Sequence, residues 1–339
     1  SLVGSEMCIR DRLHILLRLP LSLAIVTGCI IFWNYHRIHA IMKSNKTDNN
    51  NKACFINGRG YKMAGLKKLP IGIENFEEMR REDFYYVDKS HVIEQLLTQW
   101  GKVNLFTRPR RFGKTLNMSM IQRFFEKTGE SNAYLFEGLN ISKTGQKYMQ
   151  HQGRYPVISV SLKSMKQATY ELAYETYKYI IKDEFRRHRA FIYHANVLDQ
   201  EEQRRYDAFL DINASDSVYY KAIGFLSVCL ERAYHKNVII LIDEYDVPLE
   251  NSYFCGFYDK MIGLIRSVFE SALKTNPALE FAVLTGCLRI SKESIFTGLN
   301  NLKVYSVTNN DFSEYFGFTQ SEVESFAEFD SLSLSLIHI

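Results

Sequence analysis

The sequence predicts an α/β fold in which helices flank a central parallel sheet. Short apolar runs, typical of buried strands, alternate along the chain with longer segments that carry apolar residues at helical spacing. Two of the runs, residues 238–242 and 281–284, are apolar almost throughout, as in central strands covered on both faces. Alternation of this kind builds a parallel sheet through right-handed crossovers. No linker-like segment interrupts residues 63–330, so we expect one domain there.

Each strand is predicted from a short run dominated by apolar, β-branched or aromatic residues. In chain order these runs are residues 84–87, 103–107, 155–162, 238–242, 281–284 and 304–307. The helices are predicted from apolar residues three and four positions apart. They cover residues 89–100, 116–127, 167–189, 201–210, 218–234 and 261–274. The long stretch 164–236 contains no strand pattern and is expected to be a helical insertion that packs on the sheet.

The composition is that of a globular protein and leaves the choice of partner open. Of the 339 residues, 46% are apolar, which is enough for a sizeable core, and 24% are charged. The net charge of +4 neither favours nor excludes nucleic acid. The six cysteines are scattered without a C-x-x-C pair, so the sequence indicates neither a zinc site nor a disulfide framework. We therefore expect reduced thiols and a cytoplasmic location.

Both ends of the chain look foreign to the domain. Residues 1–12 and 331–339 resemble translated sequencing-adapter peptides, which places them outside the reasoning about the fold. We expect residues 1–62 to be a leader that is non-native or disordered, with the true start at Met63 or Met42.

An apolar stretch inside that leader bears on localisation. Residues 13–33 are about as long as a membrane span, although they contain Arg18 and Pro20. One interpretation is a native membrane anchor. The other, which we favour, is upstream sequence translated in frame, and it predicts a protein that does not contact a membrane.

Residues 106–115, F-T-R-P-R-R-F-G-K-T, lie between a predicted strand and a predicted helix and end in the G-K-T of a phosphate-binding P-loop. In such a loop Lys114 reaches the β- and γ-phosphates of a nucleotide, and the hydroxyl of Thr115 binds Mg²⁺. The residues predicted to contact the nucleotide are Arg108, Pro109, Arg110, Arg111, Phe112, Gly113, Lys114, Thr115 and Leu116. The alternative is a basic turn that only caps the helix. The position of G-K-T between a predicted strand and a predicted helix favours a nucleotide site, with ATP and Mg²⁺ as cofactors.

The loop departs from the usual pattern G-x-x-x-x-G-K-[ST] at its first position, where Arg108 replaces glycine. A P-loop works through backbone N–H groups and the positive end of the following helix, so this change alters the entry turn without removing the main groups. Arg108, Arg110 and Arg111 could contact phosphates, meet an acidic neighbour or be solvated.

A pair of acids follows the apolar strand 238–242. Asp243 is predicted to hold Mg²⁺ opposite Thr115. Glu244 is the natural general base for an attacking water. Two adjacent acids can serve different roles here because successive residues of a strand point in different directions. Asp246 is a third acid that could orient the next loop. Alternatively, the acids only cap the segment that follows.

The run 281–289, F-A-V-L-T-G-C-L-R, supplies a third element. Thr285 ends the strand, where a polar residue can sense the γ-phosphate and position the water. Arg289 could stabilise charge on the transferred phosphoryl group, or could be a surface ion-pair partner.

Five segments together resemble the bacterial AAA-ATPase-like family. They are L-P-I-G-I-E-N-F-E-E-M-R at 69–80, F-Y-Y-V-D-K-S at 84–90, R-P-R-R-F-G-K-T at 108–115, L-I-D-E-Y-D-V-P-L at 241–249 and T-G-C-L-R-I-S-K-E-S-I-F-T-G-L-N-N-L at 285–302. The resemblance covers about residues 66–329 and implies a P-loop NTPase (AAA-like) fold. It also implies that R-P-R-R is this family's own form of the loop.

The resemblance implies a longer protein as well. Members usually carry a C-terminal nuclease-like domain of the PD-(D/E)xK type, through which nucleic acid is a possible partner, and oligomers are possible. We expect the ATPase domain at 63–317 and the first part of a truncated helical lid at 318–330. The expected function is an ATP-binding, Mg²⁺-dependent ATPase module; the alternative is a nucleotide-dependent switch or scaffold with little or no hydrolysis.

Overall fold

The computed structural model describes residues 67–212, 214–287, 295–296 and 302–326. Its centre is a five-stranded parallel sheet with the order β2-β3-β4-β1-β5, which confirms the predicted α/β fold. The strands are β1 (Val103–Thr107), β2 (Val157–Ser161), β3 (Val238–Asp243), β4 (Leu279–Gly286) and β5 (Leu302–Tyr305). The leader, the stretch 13–33 and the tail 331–339 lie outside the described residues.

Helices cover both faces of the sheet. They are α1 (Phe76–Arg81), α2 (His91–Gln99), α3 (Lys114–Phe125), α4 (Gln146–Met149), α5 (Tyr170–Ala195), α6 (Gln200–Leu210), α7 (Asp216–Tyr219), α8 (Ala222–Tyr234), α9 (Val247–Cys255) and α10 (Tyr258–Phe269). A π-helical turn, Glu270–Lys274, extends α10, and residues 320–326 are helical. Within the described ranges, no helix is both long and apolar enough to cross a membrane.

The strand order places the ends of three strands side by side. β4 lies between β1 and β3, and it pairs Gly286 with Thr107 and Leu284 with Ile242. The carboxyl ends of β1, β3 and β4 therefore meet at one edge of the sheet, where ligands bind in open α/β folds. Every residue of β1 and β3 is buried, as the apolar runs predicted.

Two hydrophobic cores, one on each face, follow from the alternation of side chains along a strand. In β3, Ile240 and Ile242 belong to the core beneath α5, α8 and α10, whereas Ile239 and Leu241 belong to the core beneath α1, α2 and α3. The predicted helical insertion is confirmed as α5 to α8, and α5 and α8 contact the sheet.

The predicted strand at 84–87 is wrong. These residues form no regular structure, and they pair with no strand in the described part of the chain. The backbone N–H of Tyr85 instead donates to the carbonyl of Lys68 at 2.8 Å, and that of Phe84 donates to Met79 at 3.1 Å. The aromatic content suggested a strand, but the segment serves as a connection in which Tyr86 packs edge-on against Phe76.

The basic run 186–189 is partly built into the core. Arg187 donates to both carboxylate oxygens of Glu184 (2.9 and 2.5 Å) and to the carbonyl of Val157 at 2.6 Å. It also donates to the carboxylate of Glu126. These contacts tie α5 to β2 and to the end of α3. Arg187 is therefore a structural residue.

Arg187→Met is expected to destabilise the fold by about 3 kcal/mol at neutral pH, because it leaves two buried carboxylates without their cation. Burial by itself raises the pKa of Glu184, but the charge of Arg187, together with hydrogen bonds from His188 and Arg187, lowers it to about 2. This folded value lies below the ordinary one, so the contribution is present above pH 4.5 and is lost as pH falls toward 2. Denaturant unfolding of the wild type and the variant at several pH values measures this contribution to the free energy of unfolding.

Arg186→Met is the matched control for that experiment. Arg186 is the preceding residue and pairs with Asp183 at 3.1 Å, but both side chains are exposed. An exposed pair of this kind contributes about 0–1 kcal/mol. Equal destabilisation by the two variants, or a loss for Arg187→Met that does not shrink toward pH 2, would contradict the assignment.

Candidate functional site

The loop between β1 and α3, residues 108–113, lies at the carboxyl edge of the sheet and is here called the entry loop. Two of its residues have left-handed backbone conformations, Arg111 with φ 70° and Gly113 with φ 72°. A β-carbon at Gly113 would meet no atom within 4 Å, so the backbone conformation, rather than space, favours glycine there. α3 begins at Lys114, and its first-turn N–H groups provide the positive end of a helix.

The side chain of Lys114 is folded against the entry loop. Its ammonium group donates to the carbonyls of Arg108 and Pro109, both at 2.9 Å, and lies 3.4 Å from the sulfur of Cys287. Only 6% of the residue is exposed. The positive charge is thus held inside the curve of the loop, close to the N-terminus of α3.

Two hydroxyl groups converge on the carboxylate of Asp243 at the end of β3. Thr115, in the first turn of α3, donates to one oxygen at 2.8 Å, and Thr285, near the end of β4, donates to the other. Thr285 and Asp243 are adjacent because β4 is the neighbour of β3. The strand order therefore assembles three residues that the sequence singled out separately.

The donor set suits Mg²⁺. Thr115 and Asp243 offer oxygen ligands, and Mg²⁺ is commonly held by one or two carboxylates together with phosphates and waters. Among the residues that the structure describes, no group of three or more His, Cys, Asp or Glu side chains could hold a metal ion. Two protein oxygens beside an entry loop agree with a metal that is bound together with a phosphorylated ligand.

Glu244 directly follows Asp243 and has a left-handed backbone conformation with φ 54°. Its backbone N–H lies 3.4 Å from the hydroxyl oxygen of Thr285. Burial raises the pKa of the Glu244 carboxyl above its ordinary value, the charge of Asp243 raises it further, and the charges of Lys163 and Lys114 lower it. A carboxyl whose pKa is raised holds a proton more readily than an ordinary one, as a general base requires.

The ends of β3 and β4 are joined by further contacts beyond Asp243 and Thr285. The backbone N–H of Tyr245 donates to the carbonyl of Thr285 at 3.1 Å, and Asp246 accepts from the N–H of Cys287 at 2.7 Å. A β-carbon at Gly286 would lie 2.6 Å from the Tyr245 ring, so glycine is required for this close approach. Asp246 therefore orients the turn after β4.

The three arginines of the entry loop have different surroundings. The guanidinium of Arg108 is buried and donates to backbone carbonyls, including that of Tyr305 at 2.7 Å, so its side chain is neither solvated nor paired with an acid. Arg110 is exposed and lies 3.5 Å from Glu250 of α9, an acidic neighbour. Arg111 is exposed to solvent.

The other residues predicted for the loop divide between the site and the core. Phe112 accepts a hydrogen bond from the N–H of Gly317 at 3.1 Å and, like Leu116, packs against the core beneath α1, α2 and α3. Pro109 contributes its carbonyl to Lys114. Arg289 lies outside the described residues.

Sequence reasoning assigned no role to Lys163 and Lys89. Lys163 follows β2, and its ammonium lies 3.3 Å from both carboxylate oxygens of Glu74. Lys89 is buried and binds Glu322. The segments 69–80 and 84–90, which contain Glu74 and Lys89, stood out as motifs, but nothing in a linear pattern revealed their partners.

Comparison with known proteins identifies the family. The sequence model of the family described as "Predicted AAA-ATPase" matches residues 70–296. An uncharacterized protein encoded in the 5′ region of vnfD in Azotobacter chroococcum mcd 1 is 30% identical over 261 residues. That alignment covers 76% of this chain and 44% of the relative, so the chain spans less than half of the relative's length. No solved structure matches at a significant level. The chain belongs to the Predicted AAA-ATPase family.

Proposed function

We propose that this chain binds ATP together with Mg²⁺ and hydrolyses it. The observation that carries the proposal is the cluster in which Thr115 and Thr285 both donate to Asp243, directly beside the loop that holds Lys114. A hydroxyl and a carboxylate beside a helix N-terminus and a buried ammonium are the groups that phosphoryl transfer requires. The family assignment agrees with this chemistry.

Each residue has a role in the proposed reaction. Thr115 and Asp243 would hold Mg²⁺, which supplies neutralisation of phosphate charge when bound. Lys114 would exchange its contacts with the loop carbonyls for the β- and γ-phosphates. Glu244 would accept the proton of the attacking water, and the hydroxyl of Thr285 would fix the orientation of Asp243.

The proposal extends to the rest of the protein. Since members of the family that the sequence resembles usually carry a nuclease-like domain, we propose that the ATPase module works with such a domain. Contact with nucleic acid would then occur through that domain. The module itself would operate in the cytoplasm, and association into oligomers is compatible with this arrangement.

Phosphate release from ATP, measured on the full chain with Mg²⁺ and again with excess chelator, tests the proposed activity. Binding of a fluorescent ATP analogue is followed in parallel. Release that requires Mg²⁺ is the expected result. Binding without release would replace hydrolysis by a nucleotide-dependent switch, and the absence of both would overturn the proposal.

Lys163→Met is expected to move the acidic limb of the pH–rate profile to higher pH. The charge of Lys163 lowers the pKa of Glu244, so its removal raises that pKa. The base must be deprotonated to act, and a higher pKa therefore shifts the loss of activity to higher pH. Steady-state turnover, measured across a pH range that covers both limbs of the profile for the wild type and the variant, detects the shift.

Lys166→Met is the control for Lys163→Met. Lys166 is exposed, three positions further along the chain, and its charge is not among the causes of the Glu244 shift. We expect its profile to match that of the wild type. Identical profiles for both variants would show that Lys163 does not act on the base.

A further inference from the structure

The chain that follows β5 runs along the back of the entry loop. Residues 305–322 are here called the C-terminal segment. The first half of the segment packs against β1 through aromatic rings. The ring of Phe106 in β1 lies within 5.1 Å, centroid to centroid, of the rings of Tyr305, Phe312 and Phe316. Phe106 belongs to the strand that leads directly into the entry loop, so the segment and the loop share one support.

Arg108 connects the entry loop and the C-terminal segment within a single residue. Its carbonyl accepts a hydrogen bond from Lys114, while its guanidinium donates to the carbonyls of Tyr305 at 2.7 Å and Phe312 at 3.4 Å. The guanidinium also lies 5.1 Å from the centre of the Phe316 ring. Only 2% of Arg108 is exposed, so these backbone carbonyls, rather than water, satisfy its charge. The usual glycine at this position could make none of the side-chain contacts.

A second connection lies at the other end of the entry loop. The N–H of Gly317 donates to the carbonyl of Phe112 at 3.1 Å, and a β-carbon on Gly317 would lie 2.9 Å from the Phe112 ring. On α3, Asn117 donates to the carbonyl of Tyr315 at 2.8 Å. The loop and the helix that follows it thus both hold the segment through its backbone.

The far end of the segment is anchored away from the loop. Lys89, just before α2, donates to both carboxylate oxygens of Glu322 (2.7 and 2.6 Å) and to the carbonyl of Glu314 at 2.7 Å. Lys89 is buried. Two anchors therefore hold the segment. The anchor at Arg108 belongs to the loop of the proposed nucleotide site, whereas the anchor at Lys89 does not.

We propose that Arg108 couples the entry loop to the C-terminal segment, so that nucleotide binding tightens the hold on residues 312–317. The coupling rests on the proposed nucleotide binding. Phosphates that bind the loop N–H groups restrict the loop even though Lys114 leaves the loop carbonyls, and Arg108 passes this restriction to the carbonyls of Tyr305 and Phe312. The helical residues 320–326 begin within the segment and continue past its end, so the state of the site reaches the chain beyond residue 322.

Hydrogen exchange of residues 305–322 in the full chain tests the coupling, with and without a non-hydrolysable ATP analogue and Mg²⁺. In the wild type, nucleotide is expected to slow exchange at residues 312–317 by about fivefold or more, the lower end of typical coupling between sites. In Arg108→Gly, which introduces the usual glycine, this slowing is expected to disappear. Each variant is compared at saturating nucleotide, so a change in affinity does not enter the comparison.

Lys89→Met and Arg108→Lys complete the experiment. Lys89→Met loosens the segment at its far anchor, so exchange becomes faster overall while the nucleotide-dependent slowing remains. Arg108→Lys keeps the charge but cannot span the two carbonyls as a guanidinium does, and it replaces Arg108→Gly if that variant fails to fold. We expect it to weaken the slowing.

Binding of the analogue, measured by fluorescence in the same samples, distinguishes a failure of the coupling from a failure of the proposed nucleotide binding. Wild-type protein that binds nucleotide with unchanged or faster exchange at residues 312–317 would overturn the coupling alone. The same conclusion follows if the Arg108 variants retain the full slowing. Absence of binding to the wild type would overturn the proposed function and the coupling together.

Discussion

Lys114→Ala is expected to lower the affinity for ATP by about 100-fold or more. A hydrogen bond to a charged group contributes about 1.5–3 kcal/mol, and the ammonium of Lys114 is proposed to contact two phosphates. The variant also removes the donor that the carbonyls of Arg108 and Pro109 share. The site then loses the ammonium charge, and the entry loop loses the side chain that holds its curve. Titration with a fluorescent ATP analogue measures the effect.

Lys102→Ala provides the comparison, because Lys102 immediately precedes β1 at the opposite edge of the sheet. It removes the same charge from the same part of the chain without altering the entry loop. We expect it to bind nucleotide as the wild type does. Thermal unfolding of both variants shows whether the Lys114 substitution acts through the fold. Unchanged affinity in folded Lys114→Ala would exclude the entry loop as the phosphate site.

Glu244→Gln is expected to reduce ATP turnover by about 100-fold or more while nucleotide still binds, in line with the loss of a general base. Glutamine has nearly the same shape but cannot accept the proton of the attacking water. Burial and the charge of Asp243 raise the pKa of Glu244, so the wild-type acidic limb should lie above the range of an ordinary carboxyl. That limb is expected to vanish in the variant. Single-turnover phosphate release across pH separates this chemical step from binding.

Glu250→Gln is the matched variant for the acid at position 244. Glu250 lies on α9, shortly after the acidic pair, and is partly exposed beside Arg110 at 3.5 Å. An exposed pair of this kind contributes little, so turnover should remain close to that of the wild type. If Glu244→Gln turns over ATP as fast as Glu250→Gln does, another residue is the base.

Local patterns explain why so much of the fold was predictable. A buried strand and an amphipathic helix each have a period that is visible within a few residues, and β1, β3 and β4 follow their apolar runs closely. The strand predicted at 84–87 shows the limit of this reasoning. Its aromatic residues satisfy a local pattern, but a strand also needs a partner, and the described part of the chain provides none there.

Only part of the candidate site could be predicted from the sequence. Lys114, Thr115, Asp243, Glu244 and Thr285 were recognisable because each ends a strand or begins a helix, where parallel strands present their ligand-binding edge. The contacts of the Arg108 side chain could not be predicted from the sequence. Its sequence position suggests a phosphate contact, whereas its guanidinium binds carbonyls of residues far along the chain.

Patterns within a few positions of the chain predicted the five strands of the sheet, six of the helices, the loop before α3 and the acids at the end of β3. The tertiary structure alone placed β4 between β1 and β3 and brought Thr285 to Asp243. It also decided that Arg108 and Lys89 hold the C-terminal segment. These outcomes depend on which distant groups are brought together in the core, where a buried charge must find a partner and the chain order does not specify which one.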